Sequence, residues 1–446
     1  MPISCLSWIP KGIARSHPTK SKYSPESLLK LAREDLNPAV KKYSGNVETL
    51  ELNGSVQAEA DIDKELSEYN LQDYDQDEVC DLYKLNPYED NIIDPSISQF
   101  DTESEGSSDI IIGPHDNLAV VGVTNNNANA LEIYLYNYEN GDWYIHHDIP
   151  VNACPLCVES LDCSCNENDL NGNLVAVGTK ASFIEIWDID NINCLQPVAT
   201  LGNASNLTDD NLRRIKSPLK SHNDSVLDLS WNRSARTILA SASADQAVIL
   251  WDITLAKTSN IYSHHSDKVQ SIQWHPFEAQ LLLTSSTDKT IQLTDCRIQE
   301  SAIRWNTANE IEKVIWNPFC PAVFLVGLYD GSVYAFDVRN RDYIFRICAH
   351  NMSITDLALS YQTEGLLVTS SIDKTVKVWD ITGNTPKFIS SKNLNIGKVY
   401  CSCFCPDNAS IMFGGEKNSV SLVDLNEEFI VYSHFRGKKS SSINLN

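Results

Sequence analysis

One interval of 29 residues constrains this chain more than any other feature. It separates His222 from Trp251, His265 from Thr294, Thr307 from Phe336 and His350 from Trp379, and an aspartate follows each closing residue. An aspartate also stands 23 positions into every unit, at Asp245, Asp288, Asp330 and Asp373. The units begin 43, 42 and 43 residues apart. Short β-branched runs fill each unit, broken by Gly, Asn, Asp and Pro turns, so each unit reads as one small antiparallel sheet. Such a sheet cannot bury both faces alone. A series of them buries its faces by stacking around a ring, as the blades of a β-propeller do.

Seven residues occupy the closing position: Tyr136, Trp187, Trp251, Thr294, Phe336, Trp379 and Val423, spaced 51, 64, 43, 42, 43 and 44 apart. The wide gap of 64 implies a polar loop insertion at 190–220. With its Trp-Asp steps the period resembles the WD40 repeat. The expectation is an all-β, seven-bladed WD40 β-propeller over 110–435, preceded by a largely irregular extension, 1–109, and followed by a short basic, Ser-rich tail, 436–446. Ring closure has two readings. The stretch Ile3–Pro10 (ISCLSWIP) is similar to the inner-strand segments Ser271–Pro276 and Lys313–Pro318. If Ile110–Ile112 fills the innermost place of the first blade, Ile3–Ile9 completes the last one and latches the ring. Otherwise Phe429–His434 completes it.

The extension divides by charge. Residues 10–45 are mildly basic, and Ser24-Pro25-Glu26 before Leu28, Leu29 and Leu31 predicts a capped short helix over 25–34. Residues 59–109 hold 17 Asp and Glu against Lys64 and Lys84, most of the chain's net charge of −24. This acidic arm reads as a solvated linker or, with Tyr69, Tyr74, Tyr83, Tyr88 and Phe100 as anchors, as a peptide that docks on a basic partner. Such a charge argues against bulk nucleic-acid binding. The 13 cysteines with no secretory signal pattern predict reduced thiols, and no apolar run nears the length of a membrane span.

His, Ser, Asp and Trp at fixed spacing invite a catalytic reading. Two complete sets exist, His222/Ser243/Asp245/Trp251 and His350/Ser371/Asp373/Trp379, with a partial set at His265/Ser286/Asp288. A buried imidazole needs partners for both nitrogens and a buried indole N–H needs an acceptor. A structural tetrad satisfies all of them, and recurrence in several blades fits structural bonding better than a unique Ser-His-Asp triad. No catalytic or cofactor-binding residue is assigned. Cys154, Cys157, Cys163 and Cys165 are the one metal-like cluster, with Cys-x2-Cys spacing but a short intervening loop, and read first as small buried residues. Asp295-Cys-Arg297 and Asp337-Val-Arg339 read as strand-end pairs. The rival reading takes them as relics of the Trp-Asp-x-Arg step of cullin-4 ubiquitin ligase substrate receptors. Gly437-Lys438-Lys439-Ser440 lacks the upstream Gly of a phosphate-binding loop.

Longer stretches carry a closer resemblance. Asn173–Leu201, Ser225–Asp252, Asp267–Arg297, Leu366–Asp380 and Gly397–Gly415 resemble the periodic tryptophan protein 1 family. So do three segments outside the repeats: Ser4–Gly12 (SCLSWIPKG), Leu66–Glu78 (LSEYNLQDYDQDE) and Trp143–Ile149 (WYIHHDI). The insertion at 190–220 has few lysines where relatives carry a lysine-rich loop, and the chain ends soon after the last blade. The resemblance implies a nuclear and nucleolar scaffold without enzymatic activity or cofactor, acting in ribosome biogenesis as an assembly factor for large-subunit precursors and in rRNA processing. It implies pre-ribosomal proteins and assembly factors as partners, with rRNA contacted indirectly and neither a membrane nor a small-molecule substrate involved. Some relatives are linked to chromatin, which makes histones the alternative partner.

Overall fold

The computed structural model describes residues 2–21, 111–124, 129–163, 172–202, 221–298, 302–383, 385–417 and 419–436. The predicted helix over 25–34, the acidic arm 59–109 and the tail 437–446 lie outside them, as does Cys165.

The repeat folds as a seven-bladed β-propeller. Blade 3 shows the unit: Val226–Trp231 innermost, then Ile238–Ser243, Val248–Asp252 and Lys257–Tyr262, each antiparallel to the next. Second strands such as Leu174–Thr179 and Leu366–Ser371 are buried at all six positions. Blades press on both faces there, so these strands read as continuous apolar or small runs. Outer strands such as Lys257–Tyr262 are mostly exposed. The core is correspondingly divided: seven clusters of buried apolar side chains, one for each contact between neighbouring blades.

Every inner strand bulges near its start. The register slips between Ile3 and Cys5, Pro155 and Cys157, Val226 and Asp228, Val269 and Ser271, Ile311 and Lys313, Ile354 and Asp356, and Val399 and Cys401. A bulge re-aims the side chain that follows it. The residues after the bulges therefore form one level around the central channel. Where that residue is Cys, the paired strand carries Gly: a Cβ on Gly178 would lie 2.3 Å from Cys157 Sγ and 2.9 Å from a Val226 methyl of the next blade. The glycine leaves room for the thiol and for the neighbouring blade together.

Ring closure follows neither expected route. Ile3–Ile9 is the innermost strand of blade 1, paired with Asp116–Thr124. It does not complete the last blade, and Ile111–Gly113 forms no strand. Blade 7 has three strands, Val399–Phe404, Ser410–Gly415 and Ser421–Asp424. The segment expected as its fourth strand is instead a short helix, Phe429–Phe435, with Val431 and Phe435 buried against blades 6 and 7. After Ile9 the chain crosses from blade 7 to blade 2: Lys11 N–H donates to Asp407 at 3.0 Å, Arg15 N–H to Asp190 at 3.1 Å, and Thr19–Lys20 pairs with Asn191–Ile192. Within the insertion placed at 190–220, Asn191–Ile192 and Ala199–Leu201 are strands, the latter the outer strand of blade 2, and 203–220 lies outside the described residues. Among the described residues no helix is long and apolar enough to cross a membrane.

The Gly178→Ala substitution should destabilise the propeller by about 1–3 kcal/mol through overpacking, read as a lower thermal midpoint. Adding Cys157→Ala should recover part of the loss. A Gly178→Ala protein as stable as the wild type would refute the close-approach role.

Candidate functional site

The propeller has two faces, set by strand direction. Inner strands begin beside the loops that carry His222, His265 and His350 and end at Ile9, Trp231, Trp274 and Trp316. One face is thus the histidine face. The other carries Pro10, Pro276, Pro318 and Pro406, and we term it the proline face.

On the histidine face, His222 Nδ1 lies 3.1 Å from Asp245 Oδ2 and its Nε2 lies 2.7 Å from Ser241 Oγ; Trp251 Nε1–H donates to the same hydroxyl at 2.8 Å. The Asp245 carboxylate can only accept, so Nδ1 carries the proton that faces it, and in the neutral ring Nε2 then accepts from Ser241 O–H, which also lies 3.3 Å from Ile249 O. Blade 6 repeats the pattern: His350 meets Asp373 at 2.9 Å and Thr369 at 2.8 Å, and Trp379 donates to Thr369 at 3.2 Å. Blade 4 has His265, Asp288 and Thr284 but no indole.

The hydroxyl is therefore not the one expected from spacing. Ser243, Ser286 and Ser371 lie two positions further on, at the strand end, and bind backbone. Ser243 Oγ donates to Asp224 O at 3.3 Å and accepts from Asp245 N–H at 3.1 Å. Ser286 does the same with Asp267 and Asp288, and Ser371 with Ser353 and Asp373. Period-two alternation puts both hydroxyls of each strand on one side, so spacing alone could not separate them. The aspartates are held low: burial raises Asp245, but the His222 ring and the Asn223 and Ala247 N–H groups outweigh it and bring the carboxyl to about 2. Burial lowers His265 and His350 against the pull of their aspartates.

Blade 2 solves the same problem with a carboxylate that sequence reasoning missed. Glu185 accepts from Trp187 Nε1–H at 3.1 Å and from Asn152 Nδ2–H at 3.0 Å, and burial raises its pKa. The signal was present as Glu-x-Trp, an acid two residues before the indole on one side of the strand. In blade 5, Asp330 accepts from Asn309 at 2.8 Å, and Phe336 stacks on Phe324 with centroids 5.4 Å apart.

Of Cys154, Cys157, Cys163 and Cys165, the three described thiols lie in different surroundings. Cys154 lies 3.1 Å from the Thr124 hydroxyl of blade 1, whereas Cys157 faces Val226 of blade 3 and Cys163 packs on the core between blades 2 and 3. Among the described residues no group of three or more His, Cys, Asp or Glu could hold a metal. Arg297 and Arg339 each form a two-pronged pair with their own strand-end aspartate. Their Nε and Nη2 lie 3.0 and 2.7 Å from Asp295, and 2.9 and 2.6 Å from Asp337.

Inside the channel the residues after the bulges bring charges together. Lys313 Nζ lies 3.3 and 3.4 Å from the two oxygens of Asp228, and Asp356 also holds the ammonium in its charged form. Asp228 further accepts from Ser271 O–H at 2.7 Å and from Ile272 N–H at 3.0 Å, both on the next blade.

These features define a WD40-repeat β-propeller, a class of protein-interaction scaffold, and the WD domain, G-beta repeat family matches residues 213–252, 256–295 and 341–380. The chain is similar along nearly its whole length to the periodic tryptophan protein 1 homolog of Drosophila melanogaster, 30% identical over 93% of this chain and 92% of the relative. It is 29% identical to periodic tryptophan protein 1 of Saccharomyces cerevisiae over 95% of this chain and 88% of the relative. An uncharacterized WD repeat-containing protein of Schizosaccharomyces pombe is 35% identical over the same shares, 95% and 88%. The chain belongs to the periodic tryptophan protein 1 family.

Two measurements test the network. In a double-mutant cycle, Ser241→Ala and Trp251→Phe should each cost about 1–3 kcal/mol and combine with less than the summed loss, because both break one chain of bonds. Ser243→Ala should add to Trp251→Phe without coupling; the reverse pattern would restore Ser243 to the tetrad. Because Asp245 is depressed in the fold, its contribution is present above its ordinary 3.8 and fades as pH falls to about 2. The stability gap between wild type and Asp245→Asn should therefore be full above pH about 4 and close toward pH 2.

Proposed function

We propose that this chain is a non-enzymatic scaffold of ribosome biogenesis, acting in the nucleus and nucleolus as an assembly factor for large-subunit precursors and in rRNA processing. Its partners are pre-ribosomal proteins and other assembly factors, with rRNA contacted through them. Membership in the periodic tryptophan protein 1 family over nearly the full chain carries this reading, since that family's resemblance implied the role.

The geometry supports the non-enzymatic part. Ser241 is fully buried, its oxygen already shared by His222 and Trp251, so no substrate reaches it. Ser243 is fully buried as well. The buried His–hydroxyl bond recurs in blades 4 and 6, with the indole in blade 6 only, as structural bonding does. A ring of blades is stiff, and its loops bind partners at little ordering cost. Arg297 and Arg339, with Nε and Nη2 engaged by their own aspartates, serve as strand-end pairs in this reading and not as a ligase contact.

Affinity purification of the tagged full chain, with sequencing of co-purified RNA and identification of proteins, tests the proposal. Large-subunit precursor rRNA and its assembly factors should be enriched over a control propeller. Their absence overturns the ribosomal role, and recovery of histones in their place moves the chain to chromatin.

A further inference from the structure

Among the described residues, blade 7 has three strands where the other blades have four. No described strand pairs with the outer edge of Ser421–Asp424, so a row of main-chain N–H and C=O groups stays open there. The helix Phe429–Phe435 pairs with no strand. It packs on the outer strand of blade 6, Lys387–Asn393, and His434 Nε2 lies 2.7 Å from Asp380 Oδ2.

The other blades show what such an edge requires. Three positions before the closing residue stand Ile184, Val248, Ile291 and Val333 in blades 2 to 5, all buried. Each lies opposite an outer-strand residue that is itself buried: Leu201, Tyr262, Trp305 and Ile347. The same position in blade 7 is Val420, and it is only half-buried, as is every residue of Ser421–Asp424. Val420 and Leu422 pack on the same buried cluster as Tyr134 and Trp143 of blade 1. Those two rings are half-buried too, stacked with centroids 4.7 Å apart. A notch with apolar walls thus runs along the open edge between blades 7 and 1.

One end of the notch is acidic. In blades 3 and 6 the strand-end aspartates Asp252 and Asp380 pair across the ladder with Lys257 and Lys387, the first residues of the outer strands. Asp424 is their equivalent in blade 7. It accepts from Asn426 N–H at 2.8 Å and bonds the Tyr138 hydroxyl, with Glu427 nearby, but it forms no ion pair among the described residues.

We propose that a partner protein completes blade 7 with an extended segment added antiparallel to Ser421–Asp424, carrying a basic residue opposite Asp424 and a large apolar residue opposite Val420. Lys257 and Tyr262 take those two places in blade 3. Main-chain bonds along the edge supply affinity. The apolar side chain buries against Tyr134 and Trp143, and the cation on Asp424 fixes direction and register. Alternate side chains of the added strand turn toward blade 6, where Val423, Leu425 and Val431 line a small apolar crevice. The inference rests on the protein-scaffold reading and not on its ribosomal part.

The probe is a capped, dye-labelled peptide with the outer-strand sequence of blade 3, Lys257–Tyr262 (KTSNIY), titrated into the full chain and read by fluorescence anisotropy. A saturable rise is expected. N-methylation of the peptide at alternate residues removes the N–H donors that would face the edge, and should weaken binding roughly tenfold. Val420→Glu in the protein should weaken it by a similar factor while keeping the wild-type melting temperature. Should that variant fail to fold, the N-methylated peptide carries the same test on the unaltered chain. Absence of saturable binding overturns the proposal, as do equal binding of the N-methylated peptide and wild-type affinity in a folded Val420→Glu protein. Equal binding of a peptide with Lys257→Glu overturns the basic residue opposite Asp424. An affinity that rises about tenfold once 437–446 is deleted gives the edge to the chain's own tail, and a dimer that the peptide dissociates gives it to a second copy. Either result overturns the partner strand. Retained peptide binding in a chain that recovers no precursor rRNA rejects the ribosomal reading alone.

Discussion

The free edge of each inner strand is the constraint on which the ring depends. Neighbouring blades are separate sheets, so no main-chain ladder crosses from one to the next. An inner strand is paired on one edge and offers unsatisfied N–H groups to its neighbour on the other, and unpaired buried N–H groups are costly. Side chains close the gap. Ser230 accepts from Trp274 N–H at 3.0 Å, Gln273 from Trp316 N–H at 2.6 Å, and Asp356 from Ser402 N–H at 2.7 Å. The bulge that opens every inner strand brings these acceptors to the right level.

That constraint explains why ionisable groups survive at the centre of the ring. Asp228 stays because two partners on blade 4 and the Lys313 ammonium satisfy it. It also explains the N-terminal strand. Blade 1 needs an inner strand whose edge satisfies both neighbours, and Ile3–Ile9 supplies it: Trp8 Nε1–H donates to Cys403 O of blade 7 at 3.0 Å, and Trp8 O accepts from the Ser160 hydroxyl of blade 2 at 3.0 Å. A strand from the far end of the chain serves because pairing depends on shape and hydrogen bonds, not on sequence proximity.

Much of the fold was legible because it repeats. The 29-residue interval is the distance from the loop before an inner strand to the end of the third strand, and blade geometry holds that distance even where Trp becomes Thr294 or Phe336. The His–Asp pairs were legible for the same reason. Their hydroxyl partner was not, because Ser241 and Ser243 share a strand side, and only the reach of the Trp251 indole selects the inner one. The last strand misled for a different reason. Phe429–Phe435 is apolar enough for a strand, yet it coils and sets Val431 and Phe435, four residues apart, into the groove between blades 6 and 7.

Sequence by itself determined the class of this protein: periodic spacing dictates blades, and residue types at fixed offsets dictate which groups must pair. Both are local properties, carried by strand length and turn chemistry. Tertiary structure alone decided which strand closes the ring, which hydroxyl joins each histidine, and that Glu159, Asp228, Lys313 and Asp356 from four blades share one channel. Those residues are separated by up to 197 positions in the chain. They meet because the inner strands stand around a common axis, a relation between blades that no single repeat contains.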